Sequence, residues 1–299
     1  MQPFQNDREQ ELPEISHRIS FQDNIHSLKP LWSREVYTYP AIKDIQMVAI
    51  DDKVYLLGST QQAESGLIVM QGRSGRILWQ KRGNFLDVAA DTTAVYLSEA
   101  SSVLAISPET GESIWTVKLP GFHNNVIYLY VVDDILYTKG SVSGERLLDV
   151  HTGDIYDMTK TFTQLPPSIL NRVPTIKKNK IFFGAGQKSV GFCIAYQRHP
   201  YKFLWRTKNE NVISNIAASN KVVYFLTADD EIMMLDANTG ESLATAYITP
   251  SINFFKNQGA VQHEGYHIAV DDENNRLYVI LGDSNQMFAF QILLEEEMR

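Results

Sequence analysis

Four tryptophans share one context. Each follows an aliphatic residue: Leu31-Trp32, Leu78-Trp79, Ile114-Trp115 and Leu204-Trp205. A core filled without a pattern would not repeat that context, so the tryptophans mark a recurring unit. The cleanest copy spans 94–115. An apolar run (Val95, Tyr96, Leu97) and a short turn lead to a second run at 103–106, and Pro108-Glu109-Thr110-Gly111 then leads to Trp115. Similar units recur at a period of roughly 40 residues, the mark of a propeller or a solenoid.

Three features travel together. The first is an apolar run holding an aromatic: Tyr55, Tyr96, Tyr137, Phe182, Tyr224 and Tyr278. The second is another apolar run about ten residues on, at 67–70, 103–106, 147–150, 192–196, 232–235 and 287–290. The third is a turn and a tryptophan, as in Ser74-Gly75 before Trp79 and Thr110-Gly111 before Trp115. Gly153 and Gly240 keep the turn, but Asp157 and Ala244 stand where the tryptophan would be. Trp205 keeps the ring, with Tyr201 where the glycine would be. Runs of β-branched and aromatic residues bounded by Asp, Asn, Gly and Ser are strands. Asp51-Asp52, Asp133-Asp134 and Ser219-Asn220 suit hairpin reversals, because their side chains bond local backbone and Asn and Asp tolerate positive φ. A glycine supplies the positive φ that closes the next hairpin. The tryptophan then falls on an outer strand, where its large apolar area is buried against the neighbouring repeat.

Ala105, Gly111 and Trp115 resemble the PQQ-like (quinoprotein) β-propeller repeat, in which Ala is followed by Gly six residues on and Trp four further. The resemblance covers roughly residues 31–292. Val69, Leu147, Met234 and Ala289 fill the small-residue position unevenly, so some blade interfaces are expected to pack differently. Asp157 and Ala244 leave the seams of the third and fifth blades without the usual ring. The resemblance implies blade-docking roles for Trp32, Trp79, Trp115, Trp205, Gly75, Gly111, Gly153 and Gly240.

The sixth copy has no tryptophan segment of its own, while Leu31-Trp32-Ser33 precedes any inner strand. The economical solution is an all-β, six-bladed propeller of four-stranded blades. The N-terminal strand around Trp32 pairs with the last blade and closes the ring, which protects strand edges. Residues 1–30 read as a polar tail and 31–299 as one propeller domain, a size such folds reach without splitting.

Composition narrows the function classes. No apolar run approaches the roughly 18 residues of a membrane helix, so no membrane insertion is expected. The polar opening lacks the apolar core of a secretion signal. As written the chain reads as cytoplasmic, whereas the resemblance suggests a cell-envelope parent. The single Cys193 lies in an apolar run and reads as a small buried hydrophobe. A net charge of −8 and the lack of a contiguous Lys/Arg block argue against nucleic acid and anionic membrane surfaces.

Several patterns invite chemistry. His263-Glu264-Gly265-Tyr266-His267 spells the zinc-protease motif, which needs a helix to bring both imidazoles to one metal. Gly265 and the strand-like Ile268-Ala269-Val270 argue for a strand instead, where the two histidines stand about 13 Å apart. Inner-strand starts would gather Asp44, Asp87, Asn125, Asn215, Glu264 and His267 around a central channel. Such a ring suits either water, a hydrated cation such as Ca²⁺, or a small polar ligand. Two connections stand out: 159–175, stiffened by Pro166-Pro167 and Pro174, and 247–262, which carries Phe254-Phe255 as a candidate partner-binding loop.

The resemblance includes long dehydrogenases holding PQQ beside adjacent cysteines. One cysteine and six repeats on half that length argue against such an enzyme, and no cofactor is expected. No nucleophile elbow, P-loop or dinucleotide fingerprint occurs either. The leading expectation is a non-catalytic binding or scaffold module with a protein partner, similar to the propeller lipoproteins of outer-membrane assembly. The alternatives are a channel-metal hydrolase or lactonase using Glu264, His267, Asn215 and Asp87, and a carbohydrate or peptide binder using Phe254, Phe255 and Tyr266.

Overall fold

The computed structural model describes residues 27–36, 43–59, 65–120, 126–140, 144–156, 175–187, 190–208, 212–227, 231–247, 266–281 and 286–293. All its regular structure is antiparallel β. The first strand, β1 (Ser27–Glu35), leaves the N-terminal region to join the end of the chain. Blade 1 comprises β2 (Lys43–Ile50), β3 (Lys53–Ser59), β4 (Ser65–Gln71) and β5 (Ile77–Arg82). Blade 2 comprises β6 (Asp87–Ala90), β7 (Val95–Ser98), β8 (Ser102–Ile106) and β9 (Ser113–Lys118). Blade 3 holds β10 (Val126–Val132), β11 (Ile135–Gly140) and β12 (Gly144–Asp149). Blade 4 runs through β13 (Thr175–Lys177), β14 (Lys180–Gln187), β15 (Val190–Gln197) and β16 (Lys202–Arg206). Blade 5 runs through β17 (Ala217–Ala218), β18 (Val222–Leu226), β19 (Glu231–Asp236) and β20 (Ser242–Tyr247). The sixth takes β21 (His267–Asp271), β22 (Arg276–Leu281) and β23 (Gln286–Leu293), with β1 on its outer edge.

The fold is thus a six-bladed propeller closed between its two ends, with Trp32 facing Ala289 across β1 and β23. Blade 3 is the exception among the described residues, with three strands and a single further rung, Leu148 to Ile155. That rung has the same spacing as the first outer-strand pairs of blades 1, 2 and 5, namely Met70–Ile77, Ile106–Ser113 and Leu235–Ser242.

Turn chemistry explains the hairpins. Asp51, Asp52, Asp133 and Asp134 all adopt positive φ, as a two-residue turn matching strand twist requires. At the third hairpin Asp236 Oδ1 accepts the amides of Asn238 and Thr239, and Gly240 donates its amide to the Asp236 carbonyl. Asp149 does the same for His151, Thr152 and Gly153, and Ser107 plays the part through its hydroxyl. Sequence-local bonds therefore preset each reversal before blades pack.

Packing divides the core into six clusters, one per seam between blades. Within a blade, three residues face one another across the last three strands. Tyr278–Ala289–Trp32, Tyr55–Val69–Trp79, Tyr96–Ala105–Trp115 and Phe182–Ala195–Trp205 share one order: aromatic, small, tryptophan. Blade 5 reads Tyr224–Met234–Ala244, and in blade 3 Tyr137 faces Leu147. Where the outer residue shrinks to Ala, the middle one grows, which keeps a densely packed layer filled.

That exchange of volume is testable in blade 5. Met234→Ala alone should cost about 2–5 kcal/mol by opening a cavity, and Ala244→Trp alone about 1–3 kcal/mol by overpacking. The double variant is expected to lose clearly less than the sum in urea denaturation, since contacting residues couple. Additive losses would refute the compensation.

Candidate functional site

Two sets of residues place polar groups where function could reside: the rim, where outer strands meet the next blade, and the axis, where first strands meet. At the rim one contact repeats. Trp32 Nε1 donates to the Gly72 carbonyl (2.8 Å), Trp79 to Pro108 (3.1 Å), Trp115 to Val150 (3.0 Å) and Trp205 to Ala237 (3.3 Å). Each acceptor lies three residues before a positive-φ glycine: Gly75, Gly111, Gly153 and Gly240. The indole lies flat over that glycine, so a Cβ there would meet ring carbons at 2.6–3.0 Å. Glycine is needed twice over at this turn, for φ and for the ring's approach.

The ring-closing seam carries further bonds. Asp52 accepts the Arg73 amide (2.9 Å) and pairs with Arg276 of the sixth blade, while its own amide donates to Asp271 Oδ2 (2.9 Å). Arg34 reaches the Gly75 carbonyl from β1. Charged side chains thus tie the first blade to the last around the Trp32 contact.

At the axis the register defines equivalent positions. Gln46, Asp87, Tyr128 and His267 each face the residue two beyond the blade's core aromatic. Asn215 holds the same place, two residues before Ala217, which faces Tyr224. Asp87 is buried, and its carboxylate accepts the amides of Val88 (2.8 Å) and of Leu129 in blade 3 (2.7 Å). Asn215 grips Ile268 of the sixth blade through both backbone groups, donating to its carbonyl (2.8 Å) and accepting its amide (2.9 Å). Both side chains are bound to the next blade's innermost strand; Asp87 is withdrawn from solvent, whereas Asn215 stays exposed. Burial overcomes the two amide bonds and raises the Asp87 carboxyl to about 7. His267 is half-buried, and desolvation lowers its imidazole to about 4.

The other sequence candidates fall differently. Asn125, His263, Glu264, Phe254 and Phe255 lie outside the described residues. Asp44 lies on β2 beside a register shift between Lys43 and Gln46, and Gln46 takes the axial position. Tyr128 takes it in blade 3. Both stand nine residues before the core aromatic (Tyr55 and Tyr137), as Asp87 and Asn215 stand before Tyr96 and Tyr224, so this spacing locates them where a search for polar residues at strand starts does not. Tyr266 is buried in the cluster between blades 5 and 6, so its ring is core rather than a surface for a bound sugar or peptide. Cys193 is buried and free, and its surroundings push its thiol up. Among the described residues, no three His, Cys, Asp or Glu side chains are grouped to hold a metal ion.

One seam breaks the rim pattern. Between blades 3 and 4 the described buried apolar residues are Val132, Tyr137 and Leu147. Tyr201 occupies the glycine position of the blade 4 turn, which contains a cis His199-Pro200 bond. Arg198 spans the seam instead, donating to Asp133 Oδ2 (3.0 Å) and to the Lys178 carbonyl (3.3 Å).

No protein-family model and no curated protein sequence matches the chain. Solved structures do. The chain resembles BamB from Moraxella catarrhalis, with a TM-score of 0.50 and 14% identity over 89% of this chain and 98% of that one. It resembles the β-propeller domain of Myceliophteria thermophila Cps50 (Swd1), with a TM-score of 0.59 and 8% identity over 89% and 100%. Kluyvelomyces marxianus Hsv2 gives a TM-score of 0.55 and 8% identity over 87% and 95%. At these identities the likeness is one of fold. Among the described residues no helix is long and apolar enough to cross a membrane.

Asp87 makes the axis measurable. Its folded carboxyl titrates near 7 and the unfolded one near 3.8, so the folded state holds the extra proton between those values. Stability should be complete below about pH 4 and fall through the window up to pH 7, by about 1.4 kcal/mol per unit. Asp87→Asn should flatten that slope in melts taken from pH 4 to 7. An unchanged slope would show that Asp87 does not cause it.

Proposed function

We propose that the chain is a non-catalytic propeller that binds protein partners on a rigid frame. The observation that carries this reading is the engagement of Asp87 and Asn215, two of the residues best placed for channel chemistry, by the backbone of adjacent blades. A catalytic carboxylate must reach substrate, and these bonds hold it against the seam. The tryptophans and the turn glycines likewise serve blade docking, so the recurring residues build a frame and leave variable surfaces for recognition. The resemblance to PQQ-like propellers of the cell envelope agrees with a partner-binding role.

A channel-metal hydrolase is the reading to test against it, with His267 as its described axial imidazole. Metal analysis of the purified chain, repeated after Ca²⁺ or Zn²⁺ loading and dialysis, is expected to give far less than one ion per chain. Chemical cross-linking in native extract should couple the protein to a defined partner at fixed stoichiometry. A stoichiometric metal that disappears in His267→Ala, together with ester or lactone turnover, would overturn the binding-module reading.

A further inference from the structure

Blade 4 differs from the rest of the molecule in both charge and surface. The sequence holds no acidic residue between Asp157 and Glu210, while 175–208 carries six lysines and two arginines. All 35 acidic residues of a chain with net charge −8 therefore lie outside this blade. The cations are interspersed with apolar strand residues, so the fold gathers on one blade a charge that no contiguous run reveals.

The same blade exposes a stack of aromatic rings. Tyr196 lies parallel to Tyr201 (centroids 5.1 Å, 11°) and edge-on to Phe203 (5.7 Å, 77°), and Phe183 backs it from the core (6.2 Å, 80°). Phe203 is 52% exposed and Tyr201 40%. Leu78 and Ile114 are also exposed, on the outer strands of blades 1 and 2, but neither belongs to such a stack. Lys178, Lys202 and Lys208 are exposed, and none of them forms an ion pair among the described residues. This is also the side of blade 4 where the tryptophan-on-glycine contact is replaced, since Tyr201 stands at the glycine position.

We infer that the Tyr196, Tyr201 and Phe203 stack, with Lys202 between two of its residues in the chain and Lys178 held to the same turn through the Arg198 bond to its carbonyl, docks an acidic polypeptide segment that carries an aromatic or large aliphatic anchor. This rests on the binding-module reading and gives it a face and a partner chemistry. Rigid aromatic rings supply an anchor site with little ordering cost, and nearby lysines without an acidic partner favour flanking carboxylates. Charge decides against a long polyanion. A nucleic acid or an anionic membrane would extend beyond one blade into the field of the surrounding acidic surface, whereas a peptide of a few residues stays within about one Debye length, roughly 10 Å.

The test uses the full chain and a fluorescein-labelled peptide of about twelve residues, the length of a typical docked segment, built as repeats of Glu-Phe-Glu-Asp. Fluorescence anisotropy should show saturable binding that weakens at high salt. It should drop about tenfold or more in Tyr201→Ala/Phe203→Ala and in Lys178→Glu/Lys202→Glu, as expected for loss of a principal anchor. Ile114→Ala, on the exposed edge of blade 2, should bind as the unaltered chain does. Melting curves establish that each variant is folded, and the lysine pair reads the face even if the aromatic pair does not fold. Equal affinity for the Gln/Asn version of the peptide, or no effect of either double variant, overturns the proposal. So does tighter binding of oligo(dT) or of phosphatidylserine vesicles. A dimer seen by sedimentation and abolished by the same variants would assign the face to a second copy and overturn it too. Each of these leaves the binding-module reading standing, because that reading fails only with the metal and turnover result.

Discussion

One contact holds the ring together: an indole N–H on a backbone carbonyl of the next blade, its ring lying over a glycine that cannot be anything larger. The donor is satisfied, the ring buries its area, and the glycine turn is fixed in the only φ region that permits the approach. Each blade alone is a small sheet with two apolar faces, which could not be stable in water. Stacking side by side buries both faces, and the docking contact sets the angle at which they stack. The circle closes because Trp32, on a strand drawn from the other end of the chain, makes the same contact with blade 1 that Trp79 makes with blade 2.

The seams are not identical, and their differences follow from volume and charge. Where tryptophan is missing in blade 5, Met234 fills the layer from the middle strand and the seam remains thick with apolar side chains. Between blades 3 and 4 the substitution takes another form. The glycine is replaced as well, Arg198 ties the blades through Asp133, and the rings that would be buried under a neighbouring tryptophan form a partly exposed stack. Axial contacts reinforce two seams through Asp87 and Asn215. These two polar residues near the axis therefore act as clamps between blades.

Much of this was legible in the residues. Alternating apolar runs, Asp-Asp hairpins and the spacing of Gly to Trp reported on local periodicity and turn preference, which depend on neighbours a few positions away. The same patterns predicted one aromatic-bearing strand in each blade and the pairing of Trp32 with the last blade. The axis was much less legible. As polar residues at strand starts Asp44 and Asn125 suggest the same role as Asp87, but the ladders put Gln46 and Tyr128 at the position equivalent to Asp87. Tyr266 looked available for recognition, yet it is core.

By itself, then, the chain's order of residues determined the repeating unit, the number of blades and the strand that joins the ends, because strand and turn propensities are local and the recurring tryptophan marks each unit. Only the tertiary structure decided what the polar groups do. Whether Asp87 meets a ligand or a neighbour's amide, and whether lysines scattered over thirty-odd positions gather on one blade, depends on distances between residues far apart in the chain. Those distances are set by how the blades pack around a common axis.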